Sequence, residues 1–270
     1  MHTAGQDFPG LRVAVALNTM DAGLANPAEA EAGLTGLAAW VKDPERLLQM
    51  SHRLTMRIGL AQVPRRAPGG WALALVRPGR LGGLRGPVEL NRAVLAVDPD
   101  PDLGAAPVVV RHEGGLAWHE AWEPQMGVGA VDAGGLDDED HLVRVLRLRT
   151  AERPLPPATP TEATAALSRA TTTALSLLGN SGLGGAGGIG ERPTTAGTVQ
   201  LGEAYPHASQ VLLDRAMTML AIVQAGLEQA PEVLPHSHGI TARATALEPL
   251  RGAALDAIQS AVSWPTHLMV

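Results

Sequence analysis

Apolar residues recur at helical spacing in five stretches of the chain and at every second position in several shorter ones, which separates predicted helices from predicted strands. Asn26, Pro27 and Glu29 supply an N-cap, a first-turn proline and a reciprocal capping acid. Leu34, Leu37 and Val41 follow at helical spacing, predicting a helix over 27–41. Asp43 and Pro44 repeat the start signal, and Leu47, Met50, Leu54 and Ile58 mark one face of a second helix ending near Ile58. Over 11–17 two readings stand: Leu11, Val13, Val15 and Leu17 alternate as in a half-buried strand, yet the intervening alanines permit a short helix.

The middle of the chain reads as sheet. Trp71, Leu73 and Leu75 alternate, Val108 to Val110 form a short apolar run, and Trp118, Glu120 and Trp122 occupy one side of a third strand. Gly114 and Gly115 sit where a two-residue hairpin turn needs positive φ. That turn sets Val110 opposite His119 and His112 opposite Ala117, with both histidines on one face. A further strand suits Leu142 to Arg149, and Pro87 to Val97 reads as a helix opened by Pro87 in preference to a strand.

Pro154, Pro156, Pro157 and Pro160 then mark a stiff linker over 151–160, dividing residues 1–150 from residues 161–270. Thr159, Pro160 and Glu162 start a helix whose stripe is Leu167, Ala170, Ala174 and Leu178. A second helix follows Pro206 with Leu212, Ala216, Leu220, Val223 and Leu227, and stops before Pro231. A third begins at Thr241 and carries Leu247, Leu250, Ala254, Ile258 and Val262, with Pro249 expected to kink it. The predicted class is α+β: N-terminal helices with a small, mainly antiparallel sheet, followed by a C-terminal three-helix bundle.

Composition sharpens this picture. The chain has 270 residues, 45% hydrophobic, with one Phe, one Tyr and five Trp, so its core is built from Ala, Leu and Val, which favours close-packed helices. With no cysteine, disulfides and thiolate chemistry are excluded. Ahead of Leu11 the only basic side chain is His2, and no apolar run nears the ~20 residues of a membrane span. The expectation is a cytoplasmic protein without a membrane partner.

The net charge of −6 hides two opposed blocks. Arg53, Arg57, Arg65, Arg66, Arg77, Arg80, Arg85 and Arg92 face one acid, Glu89, whereas from Asp98 to Asp140 eleven acids oppose only Arg111. The plain reading is mutual neutralisation by exposed ion pairs. The functional reading is an arginine-lined anion site, since guanidinium groups bind phosphate and carboxylate in bidentate fashion. Nucleic acid is a poor partner for a chain with one lysine, Lys42, and an acidic total.

Several segments are similar to a family of uncharacterised proteins from high-GC actinobacteria. They are Arg77-Pro78-Gly79, Gly82-Gly83-Leu84-Arg85-Gly86-Pro87, Val143-Arg144-Val145, Tyr205-Pro206 before Leu212-Leu213, and Ala242-Arg243-Ala244 through Ala253-Ala254. The resemblance spans about residues 70–262. Members of that family have no known function, so it implies no catalytic residue, cofactor or partner.

Other motifs fail on context. Gly182, Gly184 and Gly187 spell GxGxxG, yet the run follows a predicted helix and reads as a loop. His236 and His238 offer two imidazoles where a zinc site needs three or four ligands. His119-Glu120 begins like a zinc-protease helix but has Glu123 where the second histidine belongs. Asp98, Asp100 and Asp102 imitate half a calcium loop without its bidentate acid. No metal, cofactor or catalytic set is nominated. The remaining candidate is the loop 77–87, where Arg77, Arg80 and Arg85 surround glycines, including Gly79 and Gly83, that let a ligand approach the backbone. Two functions follow as expectations. The first is a non-enzymatic interaction or scaffold protein, self-associating or binding a protein partner; the alternative is an enzyme or sensor for a small anionic metabolite held at that loop.

Overall fold

The computed structural model describes residues 9–34, 40–49, 54–65, 70–100, 103–124, 142–180, 199–228 and 237–268. Among the described residues seven α-helices, α1 (Pro9–Asp21), α2 (Pro27–Gly33), α3 (Met56–Gln62), α4 (Val88–Leu95), α5 (Pro160–Asn180), α6 (His207–Glu228) and α7 (Ser237–Ser263), accompany six strands. The strands are β1 (Trp40–Lys42), β2 (Leu54–Thr55), β3 (Trp71–Val76), β4 (Ala106–Arg111), β5 (Ala117–Pro124) and β6 (Leu142–Arg149). They form one sheet in the order β2-β1-β6-β5-β4-β3, antiparallel throughout except for the β1–β6 pair. The fold is α+β, and α5, α6 and α7 pack together as expected.

Helix α1 settles the open reading of 11–17. Leu11, Val13, Ala14 and Leu17 are all buried, because α1 lies on β3 and β4 with α7 beside it. Two apolar layers flank the sheet. One holds Leu17, Trp71, Trp118, Leu167, Leu212 and Ile258, so side chains from both ends of the sequence share it. The other packs Leu90 and Val94 of α4 on Ala74, Val76, Val108 and Val110. Every residue of β3 and β4 is therefore buried, although both belong to an antiparallel sheet.

Three expectations change. The capping box at Asn26 forms as read, with Asn26 Oδ1 accepting from Ala28 and Glu29 amides, but the helix ends at Gly33 instead of continuing to 41. Trp40, Val41 and Lys42 pair with Val145, Leu146 and Arg147 in parallel register. A strand partner outweighs a weak helical preference next to glycine. Among the described residues the second N-terminal helix does not form as predicted: Asp43 still caps a turn, its carboxylate accepting from Leu47 (2.8 Å) and Leu48 (2.7 Å), but Arg46 and Gln49 adopt left-handed φ of 55° and 57°, which a helix does not. Helix starts instead at Met56.

The hairpin register also shifts by two residues. Val110 pairs with Ala117 and Val108 with His119, because the connection is the four residues between Arg111 and Leu116. The two histidines consequently part. His112 lies beyond the end of β4, with Nε2 2.8 Å from the Ser263 carbonyl and its ring 5.4 Å from Trp264, while His119 faces the α4 side.

Strand β3 is a sheet edge, and α7 closes it. The Leu73 amide donates to Ser263 Oγ (2.9 Å), the Leu75 amide to Gln259 Oε1 (2.7 Å), and the Trp71 amide to Asn18 Oδ1 of α1 (2.8 Å). Four helical residues rise ~6 Å and two strand residues ~6.7 Å, so an antiparallel helix matches alternate edge amides. Asn18 Nδ2 also donates to the Trp71 carbonyl (3.0 Å) and to the Tyr205 hydroxyl (2.8 Å). The proline-rich stretch carries no regular element until α5, and is fastened by Glu152 N–H to the Gly86 carbonyl and Leu155 N–H to the Gly83 carbonyl, both at 2.9 Å. Thr159 and Glu162 close the predicted capping box at the start of α5.

Candidate functional site

Beyond β3 the chain turns sharply. Arg77 and Arg80 exchange two backbone hydrogen bonds of 2.9 Å around Pro78-Gly79, and Gly79 has φ 78°. Proline followed by a positive-φ glycine is the type II turn signature. A second turn follows, closed by the Leu84 amide on the Leu81 carbonyl, with Gly82 and Gly83 both at positive φ. These turns aim Arg77 and Arg80 back over α7.

There they meet Arg251. Arg77, Pro78, Gly79, Arg80, Gly104, Glu248 and Arg251 line an open cleft of about 500 Å³. Gly252 makes the approach feasible: a Cβ built there falls 3.1 Å from Arg77 Nη2 and 3.3 Å from Arg80 Nη1. Glycine inside a helix costs ~1 kcal/mol relative to alanine, and here it leaves room for two guanidinium groups. Arg80 pairs with Asp256 at 2.6 Å, and Arg251 sits 3.5 Å from Glu248 and 3.4 Å from the Gly104 carbonyl. Among the described residues, the Arg77 guanidinium has no hydrogen bond or ion pair within 4.0 Å. Burial, and then the positive charges of Arg80 and Arg251, pull Arg77 below the ordinary arginine range, against Asp256 and Glu248. Arg251 Nε is buried with no hydrogen-bond partner among the described residues. Three guanidinium groups against two carboxylates leave a positive site with unused donors.

Of the five residues nominated from the sequence, Arg77, Gly79 and Arg80 lie in this cleft. Gly83 instead carries a turn, its Cβ position 3.1 Å from the Leu155 carbonyl, and Arg85 is exposed outside the lining. Arg251, Glu248 and Asp256 were invisible to sequence spacing, since only the seating of α7 on β3 brings them to residues 77–80. A mid-helix glycine directly after an arginine was the one available signal. Neutralisation runs elsewhere than between neighbouring blocks for these arginines: Arg57 pairs with Glu31 (2.8 Å) and Arg80 with Asp256.

A second charged group is structural. Arg111, nearly inaccessible, donates to the Pro64 carbonyl (2.8 Å), lies over the Trp71 ring and is 3.8 Å from the buried Asp21. Burial raises the Asp21 carboxyl above the ordinary aspartate value, and Arg111 only partly offsets this. The group ties α1 to β4.

Asp100 forms a turn, its Oδ1 accepting from the Leu103 amide (2.9 Å), and His119-Glu120 lies on β5, not on a helix. The glycine run from 182 and His236 lie outside the described residues, as does the side chain of His238. Among the described residues no cluster of three or more His, Asp or Glu is placed to hold a metal, and no helix is long and apolar enough to cross a membrane. No family model, curated protein or solved structure matches the chain.

Proposed function

We propose that the protein binds a small phosphate- or carboxylate-bearing metabolite in the cleft of Arg77, Arg80 and Arg251, as an enzyme or sensor acting on that anion. The observation that carries the reading is the convergence of three guanidinium groups on one cleft, with that of Arg77 in no hydrogen bond or ion pair among the described residues. An anion there relieves like-charge repulsion and takes bidentate hydrogen bonds from planar donors. The Asp256 carboxylate competes for Arg80, so the ligand must offer more acceptors than one carboxylate, which favours a phosphate ester.

Thermal-shift measurements at constant ionic strength test this with inorganic phosphate, glucose 6-phosphate, AMP and succinate. A ligand at a hundred times its dissociation constant adds about 2.7 kcal/mol, a rise of about 5–10 °C for a chain of this size. Arg77→Gln and Arg251→Gln are expected to abolish the rise. No shift with any of these anions, or a shift that survives both substitutions, overturns the proposal.

A second reading, association with itself or with a protein partner, rests on Leu175 and Leu177 of α5 and Val211 and Ile222 of α6, which are exposed apolar side chains. Light scattering with affinity capture tests it: a strict monomer that retains no partner counts against it.

A further inference from the structure

Strand β5 extends beyond the start of β4, and behind that end lies a second cavity of about 160 Å³. Its walls divide by chemistry. Val94, Val97, Pro99, Ala106 and Pro107 make an apolar side, and Asp98, Asp100, His119 and the Glu120–Arg144 pair (3.9 Å) make a polar one. His119 is 3% exposed. Its Nδ1 is 2.9 Å from the Glu120 carbonyl, which can only accept, so Nδ1 carries the proton and Nε2 keeps its lone pair. Among the described residues Nε2, which is buried, has no hydrogen-bond partner. Buried acceptors without donors are uncommon in native structures and point to an absent group.

The local field selects the sign of that group. Asp98, exposed at the rim, half-buried Asp100 and Glu120 bring three carboxylates to the lining against one guanidinium, that of Arg144, which lies 3.9 Å from Glu120. Helix α4 ends at Leu95, between the lining residues Val94 and Val97, so its C-terminal carbonyls add partial negative charge. Two cations face His119 from β6: its cross-strand partner Arg147, and Arg149, which pairs with Glu45 at 3.1 Å; neither lines the cavity.

We propose that this cavity is a second ligand site, which takes a small organic ammonium with an apolar body, its N–H hydrogens directed at His119 Nε2 and at the carboxylates of Asp98 and Asp100. The volume resembles that of an engineered cavity of ~150 Å³ that holds benzene, which sets the size of the apolar part. The site stands independently of the arginine cleft.

The test is a nuclear magnetic resonance titration of the full chain with benzylammonium, with benzyl alcohol and benzoate as probes of equal shape. Benzylammonium is expected to move the His119 ring-nitrogen signal and the Val94 and Val97 methyl signals, with a dissociation constant about tenfold below that of benzyl alcohol, while benzoate moves none. Asp98→Asn, at an exposed position, is expected to weaken benzylammonium several-fold and leave benzyl alcohol unchanged; His119→Phe weakens both. Arg77→Gln leaves these titrations unchanged, which separates this site from the anion cleft. Unmoved signals at millimolar benzylammonium, equal binding of benzoate, or indifference to Asp98→Asn overturns the proposal.

Discussion

Replacing Gln259 by Met keeps the side chain's length and volume close to the original and deletes one capability, the acceptor that holds the Leu75 amide of the sheet edge. In the native protein that bond is 2.7 Å and Gln259 is nearly inaccessible, so water cannot replace the lost partner. An orphaned buried amide costs about 1–3 kcal/mol, more than the ~1 kcal/mol net worth of an average hydrogen bond. At about 3 °C per kcal/mol, the midpoint of thermal unfolding should fall by about 3–9 °C. Amide hydrogen exchange localises the effect: Leu75 should lose protection in Gln259→Met and Leu73 in Ser263→Ala, each with its neighbour on β3 less affected. Glu248→Gln, at an exposed position on the same helix, should stay within about 0.5 kcal/mol of the native protein. Because β3 leads directly into Arg77 and α7 carries Arg251, a loosened edge should also weaken the phosphate binding proposed for the cleft. A midpoint within 1 °C of native, together with unchanged exchange at Leu75, would refute the role given to α7 as the cover of this edge.

Two further outcomes are expected. Gly82 and Gly79 both have positive φ, but a Cβ on Gly82 falls 2.7 Å from the Leu75 carbonyl while one on Gly79 meets nothing within 4 Å. Gly79→Ala should therefore cost about 1–2 kcal/mol for backbone conformation alone, and Gly82→Ala a further 1–3 kcal/mol or so, as chemical denaturation would show; equal costs would contradict the packing. Burial pushes the His119 imidazole from 6.5 down to about 4. Between those pH values the unfolded chain takes up a proton that the folded one refuses, so stability falls on acidification through this window, by about 3 kcal/mol in full. In His119→Phe the stability curve should be flatter over that range; an unchanged slope would mean His119 is not held neutral.

Local signals were legible where chemistry acts between near neighbours in the sequence. Asn26-Pro27-Glu29 and Thr159-Pro160-Glu162 cap helices as read, the stripes of α5, α6 and α7 pack on the core with Ala170, Leu178 and Leu227 only half-buried, and the strands around 71–76, 106–111 and 142–149 stand close to their predicted places. The Arg-Pro-Gly turn that carries Arg77 and Arg80 was also legible, because proline and a positive-φ glycine determine it without outside help. Contacts between distant segments were not. The helix predicted through Val41 yields to a strand because β6, a hundred residues away, supplies backbone partners. His112 and His119 part company because the connecting loop is longer than its glycine pair suggests. Arg251 joins Arg77, and His119 comes to lie over a cavity behind α4, only once α7 is seated on β3 and α4 on the opposite sheet face. A turn or cap gains its hydrogen bonds within a few residues of chain, so its sequence carries its own explanation. A site is a meeting of segments whose burial free energy is realised only when the whole sheet is covered, and no local pattern records where that covering places a charge.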